Sequence, residues 1–195
     1  RLVEPVKPFE LSGSFHTLDA MLETALYNER VIAIIGEVDE IVADRLTFCL
    51  EHLSHAPEEV RLLITSYGGA VDAGGAIIRA IRTAQGRGCT VVGEVRGYAM
   101  SMAAVILQAA DLRYAAHEDV VMVHGATGSA FGDIRNTEAD LALTKRLMDF
   151  HARLLSERNT SEKPRYHEYA YWHKLLDDNF PHYFFGADAV EAGLI

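Results

Sequence analysis

The stretch EVRLLITSYGGAVDAGGAIIRAIRTAQGRGCTVVGEV, Glu59 to Val95, decides the fold. Its first part, EVRLLITSYGG (59–69), is a short apolar run ending in a double glycine, the pattern of a buried strand entering a turn. AVDAGGAIIRAIRTAQG (70–86) carries its apolar residues at helical spacing, and CTVVGEV (89–95) is a second short apolar run. Strand, helix and strand in this order make a βαβ unit. Strands that are apolar throughout, rather than alternating, belong to a parallel sheet covered on both faces.

The same alternation extends in both directions. Upstream, RVIAIIGEV (30–38) reads as a strand and DEIVADRLTFCLEHLSH (39–55) as a helix. Downstream, SMAAVILQAA (101–110) reads as a helix, with LRYAA (112–116) and DVVMVH (119–124) as strands. GATGSAFGD (125–133) is loop-like, and a long amphipathic helix is expected over 137–159. A second is expected over 164–179, where Pro164 interrupts the helical pattern, and ADAVEAGLI (187–195) reads as a short helix or turn. A short helix is expected over 18–28, whereas Pro5, Pro8 and Gly13 make residues 1–17 an N-terminal arm.

The totals fit one soluble domain. The chain has 195 residues, 49% hydrophobic and 24% charged. A net charge of −10 argues against nucleic acid, whose phosphates call for a basic surface. Cys49 and Cys89 form no CxxC pair and read as reduced core residues. No apolar run reaches the roughly 18–20 residues of a membrane span, and the N-terminus shows no basic-then-apolar leader. The expected location is the cytoplasm.

Three strand ends carry residues with chemistry. The first ends at Gly68-Gly69, the second at Gly97 shortly before Ser101, and the third at His124. Sites in α/β sheets form outside the carboxyl ends of strands, so the three can meet. Acyl transfer needs a hydroxyl nucleophile, a base, and N–H donors for the oxyanion. Ser101 offers the first and His124 the second; Gly69 and Met102 offer backbone N–H groups. Each residue alone also has a plain structural reading: a packing serine, a strand-end histidine, a glycine turn. The surroundings of Ser101, AMSMA, are not the GxSxG of α/β-hydrolases.

These residues resemble the ClpP family, the proteolytic subunits of the ATP-dependent Clp protease, from about residue 18 to 195. NERVIAIIGEV, LLITSYGGAVDAGGAII, GYAMSMAAVIL, VVMVHGATG and ADAVEAGLI follow one another as the family's blocks do. The resemblance implies an α/β, ClpP/crotonase-like fold of stacked βαβ units in a single domain over 18–195, with a protruding handle at about 125–159. It implies a self-compartmentalised serine endopeptidase acting on unfolded proteins or peptides through an acyl-enzyme. Ser101 becomes the nucleophile, His124 the general base, and Gly69 and Met102 the oxyanion-hole donors. It implies two stacked heptameric rings and a AAA+ unfoldase partner, with no metal or nucleotide in this chain.

Several positions depart from the family pattern. Tyr67 stands where the family has Pro in Asn-Ser-Pro-Gly-Gly, and Gly125-Ala126 where it often has Gln-Pro. Of the docking aromatics Tyr114 stays, while Leu63 and Thr83 stand where members often carry Tyr and Phe. For the triad acid, counting back without gaps from AVEAGL reaches Pro181. With Pro181-His182-Tyr183 taken as an insertion, Asp178 falls in place, Asp177 second, and Asn179 is a lesser candidate. This leaves a second expectation, a catalytically degenerate subunit with a structural role in a mixed ring. An acyl-CoA enzyme on a crotonase-like fold and a Ser–Lys dyad using Lys145 are weaker ones, without motifs of their own.

Overall fold

The computed structural model describes residues 26–125, 134–178 and 180–195. The expected arm, most of the helix over 18–28, the glycine loop from 126 onwards and Asn179 lie outside them. Strands β1 (Val31–Val38), β2 (Val60–Gly69) and β3 (Val91–Met100) alternate with helices α1 (Glu40–Leu53) and α2 (Val71–Gly86). Then come α3 (Met102–Leu107), β4 (Leu112–Tyr114), β5 (Val120–Val123) and the long α4 (Ile134–Glu157). A 3₁₀ turn (Pro164–His167), α5 (Tyr169–Asp177), β6 (His182–Phe185) and α6 (Gly186–Glu191) complete the chain.

The six strands form one sheet in the order β1-β2-β3-β5-β6, with β4 beside β3. The pairs β1–β2, β2–β3, β3–β4 and β3–β5 are parallel, as the uninterrupted apolar runs predict. The last pair corrects that expectation: β6 runs antiparallel to β5, so the sheet is mixed. His182 and Tyr183, expected within an insertion, are the start of this strand. The sequence HYFF is rich in aromatics, but four residues after a proline give too short a signal to read alone.

Local chemistry explains the element ends. Asp39 caps α1, accepting a hydrogen bond from the Val42 N–H at 2.8 Å. Strand β3 continues to Met100, further than its apolar run, because Tyr98, Ala99 and Met100 pair with Val120, Val121 and Met122. Ile34, Leu62, Ile64, Ile77, Ile81 and Ile106 fill the core between sheet and helices. The closing Gly193-Leu194 is tied to the body by the buried Arg113, which donates to the Leu194 carbonyl at 3.1 Å. Burial lowers the Arg113 pKa to about 10. In α4, Leu141 and Leu143 are exposed, whereas His151, Ala152, Leu154 and Leu155 are buried. Cys49 is half-buried and Cys89 buried, and the two form no disulfide.

Candidate active site

The parallel ladders bring the three strand ends to one level. Ser66 on β2 pairs with Ala99 on β3, and Met100 pairs with Met122 on β5. Extending the first register by two residues sets Gly68 beside Ser101. The close packing bears this out. A Cβ added at Gly68 would lie 2.7 Å from the Met100 carbonyl oxygen and 2.8 Å from the Met102 nitrogen. Only glycine fits, and its φ of +95° is one that glycine adopts without cost.

Ser101 occupies the turn between β3 and α3 at φ 52°, ψ −124°, a conformation costly for a residue with a side chain. The surrounding bonds hold it there. Its N–H donates to the Met122 carbonyl at 2.8 Å, and its own carbonyl accepts from Ala104 at 3.0 Å. Ser101 thus stands in a sharp strand-to-helix turn although its sequence lacks the glycines usual for one. The bond to Met122, two residues before His124, anchors the serine next to the histidine's strand.

Ser101, His124, Gly69 and Met102 line one cavity of about 70 Å³. All four residues selected from the sequence therefore meet. No hydrogen bond joins Ser101 Oγ to the His124 ring among the described residues, and such bonds often tighten only with substrate bound. Val71, Val105, Gly125 and His151 complete the lining. Sequence reasoning missed His151. Its signal was its position on α4, three residues after Met148 and just before the buried Ala152, which puts an imidazole on the packed face of an amphipathic helix.

The structure does not bring Asp178 to His124. Asp178 ends α5, and its carboxylate lies 2.9 Å from His182 Nε2 and accepts from the Phe180 N–H at 3.0 Å. The hydrogen bond to His182, then that from Phe180, lowers its pKa. Asp177 is exposed at the last position of α5. The segment is nonetheless near the site. His182 is the ladder partner of Val123, the residue before His124. Gly125 packs against the Leu176 carbonyl so closely that a Cβ could not be accommodated. Lys145 is exposed on α4 and is not among the residues lining the cavity.

An α/β sheet that gathers a strained serine, a histidine and a glycine turn at its strand ends has the make-up of a serine hydrolase. Comparison with known proteins narrows the class. Residues 16–195 match the family model described as Clp protease. The chain is also 28% identical over 158 residues to the ATP-dependent Clp protease proteolytic subunit of Chlorella vulgaris, covering 79% of this chain and 77% of that protein. The chain belongs to the Clp protease family, and its activity is that of a serine-type endopeptidase. No helix among the described residues is long and apolar enough to cross a membrane.

Proposed function

We propose that Ser101 and His124 carry out peptide-bond hydrolysis through an acyl-enzyme. His124 takes the Ser101 proton as Oγ attacks the scissile carbonyl. The N–H groups of Gly69 and Met102 hold the resulting oxyanion. His124 then protonates the leaving amine, and water, activated the same way, releases the acyl group. The observation that carries this reading is the single cavity shared by Ser101, His124, Gly69 and Met102, with the serine strained and tied to Met122. Ser101→Ala should abolish both peptide hydrolysis and labelling by a serine-reactive phosphonate while leaving assembly intact. Undiminished hydrolysis by that variant would remove Ser101 from the mechanism.

For the acid we propose Asp178, with Asp177 second. Support comes from the packing of Leu176 on Gly125 and the pairing of β6 with the strand that ends at His124. The role requires the Asp178 carboxylate to exchange His182 for His124. Its present engagement favours a second reading, a degenerate subunit that gives shape to a mixed ring. A well-assembled but inert homo-oligomer would select that one.

We propose the finer assignments on the family resemblance, and the ATP dependence in the algal relative's name supports the unfoldase among them. These are a single domain over 18–195 after an arm, with ClpP/crotonase-like stacking of βαβ units and a handle over about 125–159. They extend to two stacked heptameric rings in the cytoplasm and a AAA+ unfoldase that feeds unfolded chains. Exposed Leu141 and Leu143 on α4 suit a handle that meets another subunit, and exposed Tyr114 suits a docking surface. Native mass measurement of the purified chain tests the ring assignment.

A further inference from the structure

The cavity beside Ser101 has three polar side chains in its lining, Ser101, His124 and His151. The reading of the active site, on which this inference rests, occupies two of them with bond making and proton transfer. His151 is left over. It is only 6% exposed, and its ring makes no hydrogen bond to a described residue. Its ring neighbour is Phe150, at a centroid distance of 5.9 Å. Gln108 Oε1 is the buried side-chain atom without a partner among the described residues, so the His151 ring nitrogens reach open space. Lining the cavity, the ring is open to a substrate group, and one that displaces water there without replacing its hydrogen bonds loses free energy.

The rest of the lining sets the kind of group that fits. Val71, Met102 and Val105 make apolar walls. At about 10–15 Å³ of cavity for each water-sized atom, 70 Å³ takes about five to seven non-hydrogen atoms, and the scissile carbonyl accounts for up to two of them. With the scissile carbonyl at Ser101 and its oxygen at Gly69, the side chain on the acyl side of the bond is the part of the substrate next to this space.

We propose that His151 is the specificity-determining residue for that side chain, selecting an uncharged group of about five non-hydrogen atoms that ends in a carboxamide, glutamine foremost. Burial lowers the His151 pKa to about 4, so the ring is neutral in the working range. A neutral imidazole offers one donor and one acceptor, and a carboxamide offers the complement of both. A carboxylate finds no cation there, an ammonium finds apolar walls, and an aromatic ring is too large. An aliphatic side chain fits the walls and leaves the imidazole unpaired.

The test compares peptides that differ only in that residue, with Gln, Leu, Glu, Lys or Phe before the scissile bond. The parent, His151→Leu and His151→Gln are each assayed for kcat/KM and for phosphonate labelling of Ser101. The expected result is a preference of about tenfold or more for Gln over Leu in the parent, the size of one unpaired buried polar group. His151→Gln should retain that order and His151→Leu should reverse it. Labelling of Ser101 with the same order in the parent and in His151→Leu overturns this inference alone. Absence of labelling in the folded parent overturns the nucleophile assignment and the inference with it. Leucine is a near match in bulk and removes a buried polar group, so loss of fold is not expected; the glutamine variant supplies an independent reading.

Discussion

The nucleophile side of the site and the acid side rest on different supports. Ser101, Gly68 and Met102 stand at the ends of long parallel strands, and main-chain hydrogen bonds such as that from Ser101 to Met122 fix them. Asp178 stands at the end of a nine-residue helix, before a four-residue edge strand, with Phe180, Tyr183 and Phe185 exposed around it. Main-chain ladders hold a geometry whatever the neighbouring side chains are. A carboxylate at a helix end chooses between histidines, and one substitution can change its choice. The nucleophile side should therefore resist side-chain changes, and the acid side should respond to them.

The largest effect tests the acid side. If Asp178 orients His124, Asp178→Asn should lower kcat by about 10³–10⁴, because an amide favours the wrong imidazole tautomer. His182→Ala frees the carboxylate and should leave kcat at the parent value or above it. Steady-state kinetics on both variants decide the matter. Changes within threefold for both would show that Asp178 serves only His182, and the acid side would have no part in catalysis.

The next test breaks the nucleophile side at its tightest point. Gly68→Ala places a methyl group 2.7 Å from the Met100 carbonyl oxygen and from Ser101 Cβ, so the turn must shift. A displaced oxyanion donor and nucleophile should cost about 10²–10³ in kcat/KM. Gly75→Ala is the control. An added Cβ at Gly75 on α2 meets nothing within 4 Å, and alanine there should stabilise the helix by about 0.5–1 kcal/mol. Equal activity in the two variants would mean that the close approach at Gly68 does not position the site.

His151 links the site to stability. Its pKa is about 4 in the folded chain, against the usual 6.5. Between those values the unfolded chain binds the extra proton, so unfolding becomes easier as pH falls from about 6.5 towards 4. At 1.36 kcal/mol for each unit, the loss is on the order of 3 kcal/mol. Denaturant titrations over this range should show the slope in the parent and a shallower one in His151→Leu. Identical slopes would place the histidine in contact with solvent or with a compensating acid.

Legibility in the sequence followed the same division. The strands β1, β2 and β5 and the helices α1, α2 and α3 were readable because apolar runs and helical spacing are local signals, with Gly69 and His124 at strand ends and Ser101 and Met102 at the start of α3. The turn at Ser101 was not readable as strained, since its φ of 52° is imposed by the bonds to Met122 and Ala104 and not by a glycine. The antiparallel β6 was missed because its pairing with β5 is a contact between distant parts of the chain. The pairing of Asp178 with His182 is local, four residues apart, but it depends on where that strand begins, which the distant pairing sets. His151 lay in a helix read correctly as amphipathic, but its face became a cavity wall only when α4 packed beside Met102 and His124.

The smallest expected effect gives the strictest check on the nucleophile side. Tyr67, just before Gly68, stacks on Tyr98, three residues before Ser101, with ring centroids 4.3 Å apart. The hydrogen bond to Tyr67, followed by burial, raises the Tyr98 pKa, so its hydroxyl stays protonated. The stack crosses from β2 to β3 beside the two turns that carry the oxyanion donor and the nucleophile. An aromatic pair of this kind contributes about 0.5–1.5 kcal/mol, so Tyr98→Ala should lower the melting temperature by about 2–4 °C in a chain of this size. The ladder between Ser66 and Ala99 remains in that variant, so kcat should fall by less than about tenfold, with KM unchanged. Tyr98→Phe keeps the rings together and should match the parent in both measurements. A Tyr98→Ala loss as large as that of Gly68→Ala would show that side chains hold the glycine turn, and the nucleophile side would then be as dependent on them as the acid side.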